Sequence, residues 1–242
     1  MKAVWILAKK EVRSFFDSLI AYVLLVAFLG VTGLFTWLIV TDIFLGKEAT
    51  LSKFFEWANW ALLVFIPAIT MKMLAEENKS GTIELLLTKP ITNWQVLWGK
   101  FLACFMLILF ALICTIPYYI TVACIGQKID HGVVISGYFG TLIVSAAYIA
   151  MGILASSFTN NQVIAFLIAL VLGLFFKLIM PMLASMLTGS TGLAFDYLSF
   201  DSHYGSIKRG VIDSRDIVYF GSIVLVSMVL SELSLAKRTL SE

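Results

Sequence analysis

Asp201, Ser202 and His203 stand side by side and are the residue types of a hydrolytic relay, but relays are assembled from side chains that face one another across a fold. Neighbours in one loop do not meet that condition, so the trio reads as a coincidence of loop composition. The serines and acidic residues elsewhere form no acid, base and nucleophile set. Cys104, Cys114 and Cys124 lie in or at the end of one apolar run. Steps of ten residues turn about 80° around a helix, so the three share no face and read as small buried hydrophobes. His131 and His203, the two histidines, lie near neither a cysteine nor each other in sequence, which leaves no metal-ligand spacing. No G-x-x-x-x-G-K-[ST] occurs, and the longest polar segments, about thirty residues, are too short for a nucleotide-binding domain. What is left is contact chemistry. Its densest patch is residues 76 to 100, EENKSGTIELLLTKPITNWQVLWGK, with six charged residues between two apolar runs.

The rest of the chain must position that patch. Of 242 residues, 60% are hydrophobic and 13% charged, and the mean hydropathy is +0.97; this is the composition of an all-α polytopic membrane protein. A net charge of +2 is too small for nucleic-acid binding. Six runs are long enough to cross a bilayer core of about 30 Å as helices: 18–41, 57–75, 101–125, 133–157, 162–184 and 217–236. The first is preceded by Lys2, Lys9, Lys10, Glu11, Arg13 and Asp17 and has no A-x-A exit, which predicts an uncleaved span and not a signal peptide. Ten lysines and arginines fall on the side of the N-terminus and six on the other, three of those in a longer loop. The positive-inside rule therefore predicts a multi-pass protein with both termini cytoplasmic.

Residues 1–17 place Val4, Trp5, Ala8, Val12, Phe15 and Phe16 on one side of a helical wheel and Lys2, Lys9, Lys10, Arg13 and Asp17 on the other, with Ile6 and Glu11 as misfits. This predicts an interfacial helix on the inner leaflet. Ala146 with Ala150 and Gly152 with Ser156 are small residues at helical contact spacing, which predicts that the fourth span lies inside the bundle. Lys177 interrupts the fifth span about 22 Å above Gln162, where a lysine costs roughly 2.5 to 3.5 kcal/mol. Two readings fit it: snorkelling to the outer interface, or contact with an anionic headgroup or substrate on a pathway between the spans. Pro117 and Pro181 can kink their spans without being gates. Glu232, followed by Lys237 and Arg238, is expected to be hydrated or paired near the inner end of the sixth span. The loop 187–216, rich in glycine and aromatics, is expected to be partly buried at the outer interface.

Within 76–100, Thr82 to Thr88 holds Ile83, Leu85, Leu86 and Leu87 beside Glu84. That is a helix too apolar for water and too short for a membrane, so it should lie against something. Lys79-Ser80-Gly81 offers a break before it, Pro90 ends it, and Thr92 or Asn93 can cap the next helix, which begins with Trp94 and Trp98. Glu76-Glu77, then Ser80-Gly81-Thr82-Ile83-Glu84-Leu85-Leu86-Leu87-Thr88, Pro90 and Gly99-Lys100, resemble the cytoplasmic signature of the permease subunits of type-2 ABC exporters. Gly210-Val211-Ile212-Asp213-Ser214-Arg215-Asp216-Ile217-Val218-Tyr219-Phe220 is similar to the run into the last helix of that family, closest to its gliding-motility-associated permeases.

The resemblance implies one transmembrane permease domain over 1–242 in the inner (cytoplasmic) membrane, in which a short cytoplasmic coupling helix docks into a separate ABC ATPase subunit. It also implies a second permease protomer, identical or homologous, and short outer helices over 187–216. The coupling surface would comprise Glu76, Glu77, Ser80, Gly81, Thr82, Glu84, Leu85, Leu86, Thr88 and Pro90. ATP and Mg would be bound by the partner ATPase, with no cofactor, metal or catalytic residue in this chain. An apolar strip with charged edges suits a helix-in-groove contact. A helix resting on lipid is the plainer reading, against which the acidic pair 76–77 counts. Two other functions fit the same residues: a mechanical or anchoring subunit that passes no substrate, and a secondary transporter, which the scarcity of charge within the spans disfavours.

Overall fold

The computed structural model describes residues 2–39, 50–80, 91–125 and 129–240. Every regular element among them is helical, as the apolar composition requires: in hydrocarbon, a helix satisfies its own backbone. Helix α1 (Lys2–Asp17) is bent 76° from the segment that follows. That segment, α2 (Leu19–Leu34), continues through a π-helical turn, Phe35–Ile39, and rises about 31 Å, enough for one crossing. The bend sets the charged, amphipathic α1 steeply across the axis of the apolar α2.

Five further helical stretches are long and apolar enough to cross: Ser52–Ser80, Asn93–Cys124, His131–Phe158, Gln162–Met186 and Ser214–Lys237. The first comprises α3 (Ser52–Thr70) and α4 (Ala75–Ser80) around a non-helical turn at 71–74. The second comprises α5 (Asn93–Ile113) and α6 (Ile116–Ile125). Pro117 has no N–H to offer the ladder, and the chain breaks at 114–115 just before it. The Tyr138 hydroxyl donates to Thr115 O at 3.2 Å across that break.

Helix α7 (His131–Phe158) is the centre of the bundle, as its small residues predict. A Cβ on Gly137 would fall 2.4 Å from the Phe55 ring, and one on Gly152 only 2.1 Å from Thr70 Oγ1. Near both of its ends α7 therefore meets α3 at almost backbone distance, where only glycine fits. Helix α8 (Gln162–Leu174) passes through a second π turn, Phe175–Ile179, into α9 (Met180–Met186).

At the end of the bundle away from α1, helices α10 (Ser190–Tyr197) and α11 (Phe200–Lys208) lead into α12 (Ser214–Leu240). Phe200, Tyr204 and Ile207 of α11 are buried. The Tyr204 hydroxyl donates to Phe55 O at 3.2 Å, and burial, partly opposed by the Thr141 hydroxyl, pushes its pKa well above the usual value, so it stays a donor. The run 210–220 has a structural explanation. Gly210, at φ 93°, ends α11 with its N–H on Ile207 O (3.0 Å) and that of Val211 on Ser206 O (3.1 Å), the pairing of a Schellman motif. Asp213 Oδ1 then accepts from Arg215 N at 2.9 Å to start α12.

Candidate functional site

At the α1 end of the bundle five segments converge on one polar node, four of them on the Lys100 ammonium group. Lys100 Nζ, on a side chain 1% exposed, donates to Met73 O at 2.6 Å and to Glu77 Oε1 at 2.7 Å. Glu11 Oε1 of α1 lies 3.9 Å away. The sequence sets Lys100 here because the capping box of Thr92 and Gln95 starts α5 two turns earlier. Gly99 then lets α1 approach, since a Cβ there would meet Leu7 Cδ2 at 2.7 Å. Glu11, a misfit on the apolar side of α1, faces inward because its counter-charge is inside.

The fifth segment is α7. The Ser156 hydroxyl accepts from Leu74 N (3.0 Å) and Ala75 N (2.9 Å) and donates to Met71 O (3.0 Å). Backbone groups left over by the turn at 71–74 are thus satisfied from two neighbouring helices: by Ser156 of α7 at Met71, Leu74 and Ala75, and by Lys100 of α5 at Met73. Buried polar groups without partners cost about 1 to 3 kcal/mol each, so the turn keeps its shape only while α5 and α7 stay beside it. An interruption thus falls at 71–74, ahead of the break offered at 79–81; Ser80 ends the described part of α4, its hydroxyl donating to Glu76 O at 2.9 Å, and Gly81 lies outside the described residues.

Two polar recesses flank this node. One, about 180 Å³, lies between α1 and α4 and is lined by Glu11, Lys72, Glu76, Glu77 and Lys100 among others. The other, about 700 Å³, separates Lys79 from the α7–α8 loop at Thr159, Asn160, Asn161 and Gln162. Glu77 Oε2 and both amide atoms of Asn78 are buried without a hydrogen-bond partner.

Of the predicted coupling residues, Glu76 and Ser80 are exposed and Glu77 is half-buried on Lys100. Gly81, Thr82, Glu84, Leu85, Leu86, Thr88 and Pro90, and with them the expected short helix, lie outside the described residues. From the sequence Glu11 stands out only as a misfit on the α1 wheel, Ser156 only as a packing residue and Lys100 only by its place in the motif, none of them as a member of this node. The signals were a carboxylate on an apolar helix face and a lysine at the mouth of a charge-free run.

Lys177 is 4% exposed; its Nζ lies 3.1 Å from Asp201 Oδ1 and 4.8 Å from the centroid of the Trp60 ring. The π turn thus sets it beside a carboxylate of α11 and an aromatic face. Asp201, Ser202 and His203 do not form a relay. Ser202 Oγ donates to Asp196 O at 2.7 Å; His203 Nδ1 faces Asp216 Oδ1 at 2.7 Å and its Nε2 faces Tyr197 O at 2.9 Å. Both ring nitrogens are occupied by structural partners that tie α10, α11 and α12 together. Among the described residues no cluster of histidine, cysteine or carboxylate could hold a metal ion.

The family model described as ABC-2 family transporter protein matches residues 5–204. No curated protein matches the chain.

Proposed function

We propose, from the premise that the chain belongs to the ABC-2 transporter family, that this membrane permease works as an exporter driven by a separate ATPase subunit that grips residues 76–90. One observation supports the grip most directly: the buried node of Lys100, Glu77 and Ser156 lies immediately before that segment and joins it to α1, α5 and α7. A push on 81–90 would reach those elements through short charged and polar contacts. The polar recesses beside Lys79 and Glu76, and the unpaired Glu77 and Asn78 atoms, suit a protein partner with hydrogen bonds to offer.

In this reading the whole chain, 1–242, is one permease domain. The α1 end faces the cytoplasm, a second permease protomer completes the pathway, and ATP with Mg is held by the ATPase. Closure of the ATPase shifts the bundle between two access states. We place the chain nearest the gliding-motility-associated permeases on residues 210–220 alone, a stretch beyond the matched region. The mechanical-subunit reading rests on the same contact and parts from export only at the substrate.

Co-expression with a candidate ABC ATPase subunit from the same source tests this. The ATPase should co-purify with the unaltered chain and be lost with Glu84→Ala plus Leu86→Ala. With Lys100→Met it should still bind, but ATP should no longer change the distance between spin labels on α4 and α7. Retention of the ATPase in the 84/86 variant would sink the coupling assignment. Movement of substrate in reconstituted vesicles separates exporter from mechanical subunit.

A further inference from the structure

Beside the node, on the flank of the bundle, α1 and α5 enclose an open groove of about 440 Å³ lined by Val4, Trp5, Trp94, Gln95, Trp98 and Leu102. The two helices approach most closely where Leu7 of α1 lies against Gly99 of α5. Trp5 is 55% and Trp94 36% exposed, although α1 is otherwise packed on α5 by its apolar side. From Trp94 to Leu102 the wall descends about 12 Å into a spanning helix. The groove thus begins with an amide and indole rings at the level of the interface and ends in hydrocarbon, and the aromatic wall continues inward through Phe101, 5.3 Å from Trp98, to Phe105. Lys2 and Lys9 sit three residues before and four after Trp5, which makes them the basic residues at the edge of the polar face where it borders Trp5. Both are exposed, whereas Arg13 of the same helix is paired with Asp17.

We infer that this groove is a binding site for an anionic phospholipid of the leaflet in which α1 lies. Lys2 and Lys9 take the phosphate and anionic headgroup, Gln95 and the indole N–H groups meet the glycerol region, and an acyl chain runs down Trp98 to Leu102. A protein partner fits less well, because the groove descends along a spanning helix to a depth that lipid occupies. The site requires only that α1 lie on the membrane and is independent of the ATPase assignment.

The six tryptophans of the chain divide between this groove and, as Trp37, Trp57 and Trp60, the opposite end of the bundle, so fluorescence quenching reports on it. Full-length protein is reconstituted in phosphatidylcholine vesicles carrying a minor fraction of acyl-brominated phosphatidylglycerol or, in parallel, acyl-brominated phosphatidylcholine. Phosphatidylglycerol should quench with the higher apparent affinity, by about fivefold for each lysine engaged. Lys2→Gln with Lys9→Gln should reduce it to the phosphatidylcholine value, and replacing Trp5, Trp94 and Trp98 by Phe should abolish the difference. Equal quenching by the two lipids overturns the assignment, as does a preference that survives in either variant. Quenching that falls for both lipids alike as protein density rises assigns the groove to a second copy of the chain and overturns it too. The lysine variant changes exposed side chains only, so the test stands if the triple replacement does not fold.

Discussion

Among the described residues two lysines are buried, Lys100 and Lys177, and each is bound differently to its carboxylates. Lys100 is 1% exposed with partners only 17% and 12% exposed, whereas Lys177 at 5% is paired with an Asp201 side chain that is 50% exposed. Removing one member of a buried pair leaves the other uncompensated, at about 3 to 5 kcal/mol, but an exposed partner is rescued by water. Lys100→Met should therefore lower stability by about that amount, and Glu77→Gln added to it should restore part of the loss, with a coupling of about 1 kcal/mol or more. Thermal melts of the four proteins of this cycle in detergent measure it; simple additivity would show that the pair is not coupled. At the other end the order is asymmetric. Asp201→Asn strands a buried ammonium and should cost several-fold more than Lys177→Met, which leaves only a hydrated carboxylate. Equal melting temperatures would contradict the burial of Lys177. Ser156→Ala removes the acceptor of two backbone N–H groups and should cost about 1 to 3 kcal/mol, read in the same melts.

The helices owe their positions to small residues and to breaks. Gly152→Ala should destabilise by about 1 to 3 kcal/mol, because the new Cβ meets Thr70 Oγ1 at 2.1 Å and Thr70 Cβ at 2.8 Å on a neighbouring helix. Gly173→Ala should cost less, since its obstacle at 2.5 Å is Leu63 Cδ1, the end of a side chain that can turn aside; a reversed order in melting temperature would refute this packing. The helical class, the amphipathic helix over 2–17 and the central place of α7 were legible in the sequence, since each follows from a local period or a small-residue spacing. The turn at 71–74 was not. It is made by Ser156 and Lys100, far along the chain, and residues 71–74, MKML, carry no glycine or proline to announce it. The inward turn of Lys177 was hidden for the same reason: a π turn changes which face a residue occupies, and apolar periodicity does not record it.

The described residues pack around α7 and leave long apolar faces uncovered, those of α8 and α12 among them. On α8 and its continuation, Val163, Leu167, Val171, Leu178, Met182 and Met186 are each 45% to 66% exposed, and the stripe runs unbroken along the span. On α12, Val218, Leu225, Val226 and Leu233 are open in the same way. If a second protomer lies along α8, Val171→Cys should give an oxidised dimer in membranes while Leu225→Cys does not; the reverse pattern would move the seam to α12. The unwound turn between α3 and α4 has a mechanical meaning at this scale. A continuous rod transmits both bending and axial rotation, whereas a chain with a joint transmits neither. Here the joint is pinned laterally by Ser156 from one helix and by Lys100 from another. Rotation of α4 about its own axis would have to break both pins at once, but a tilt that carries α5 and α7 along would break neither. The foot of the second span thus has one cheap direction of motion, and that direction moves three helices together.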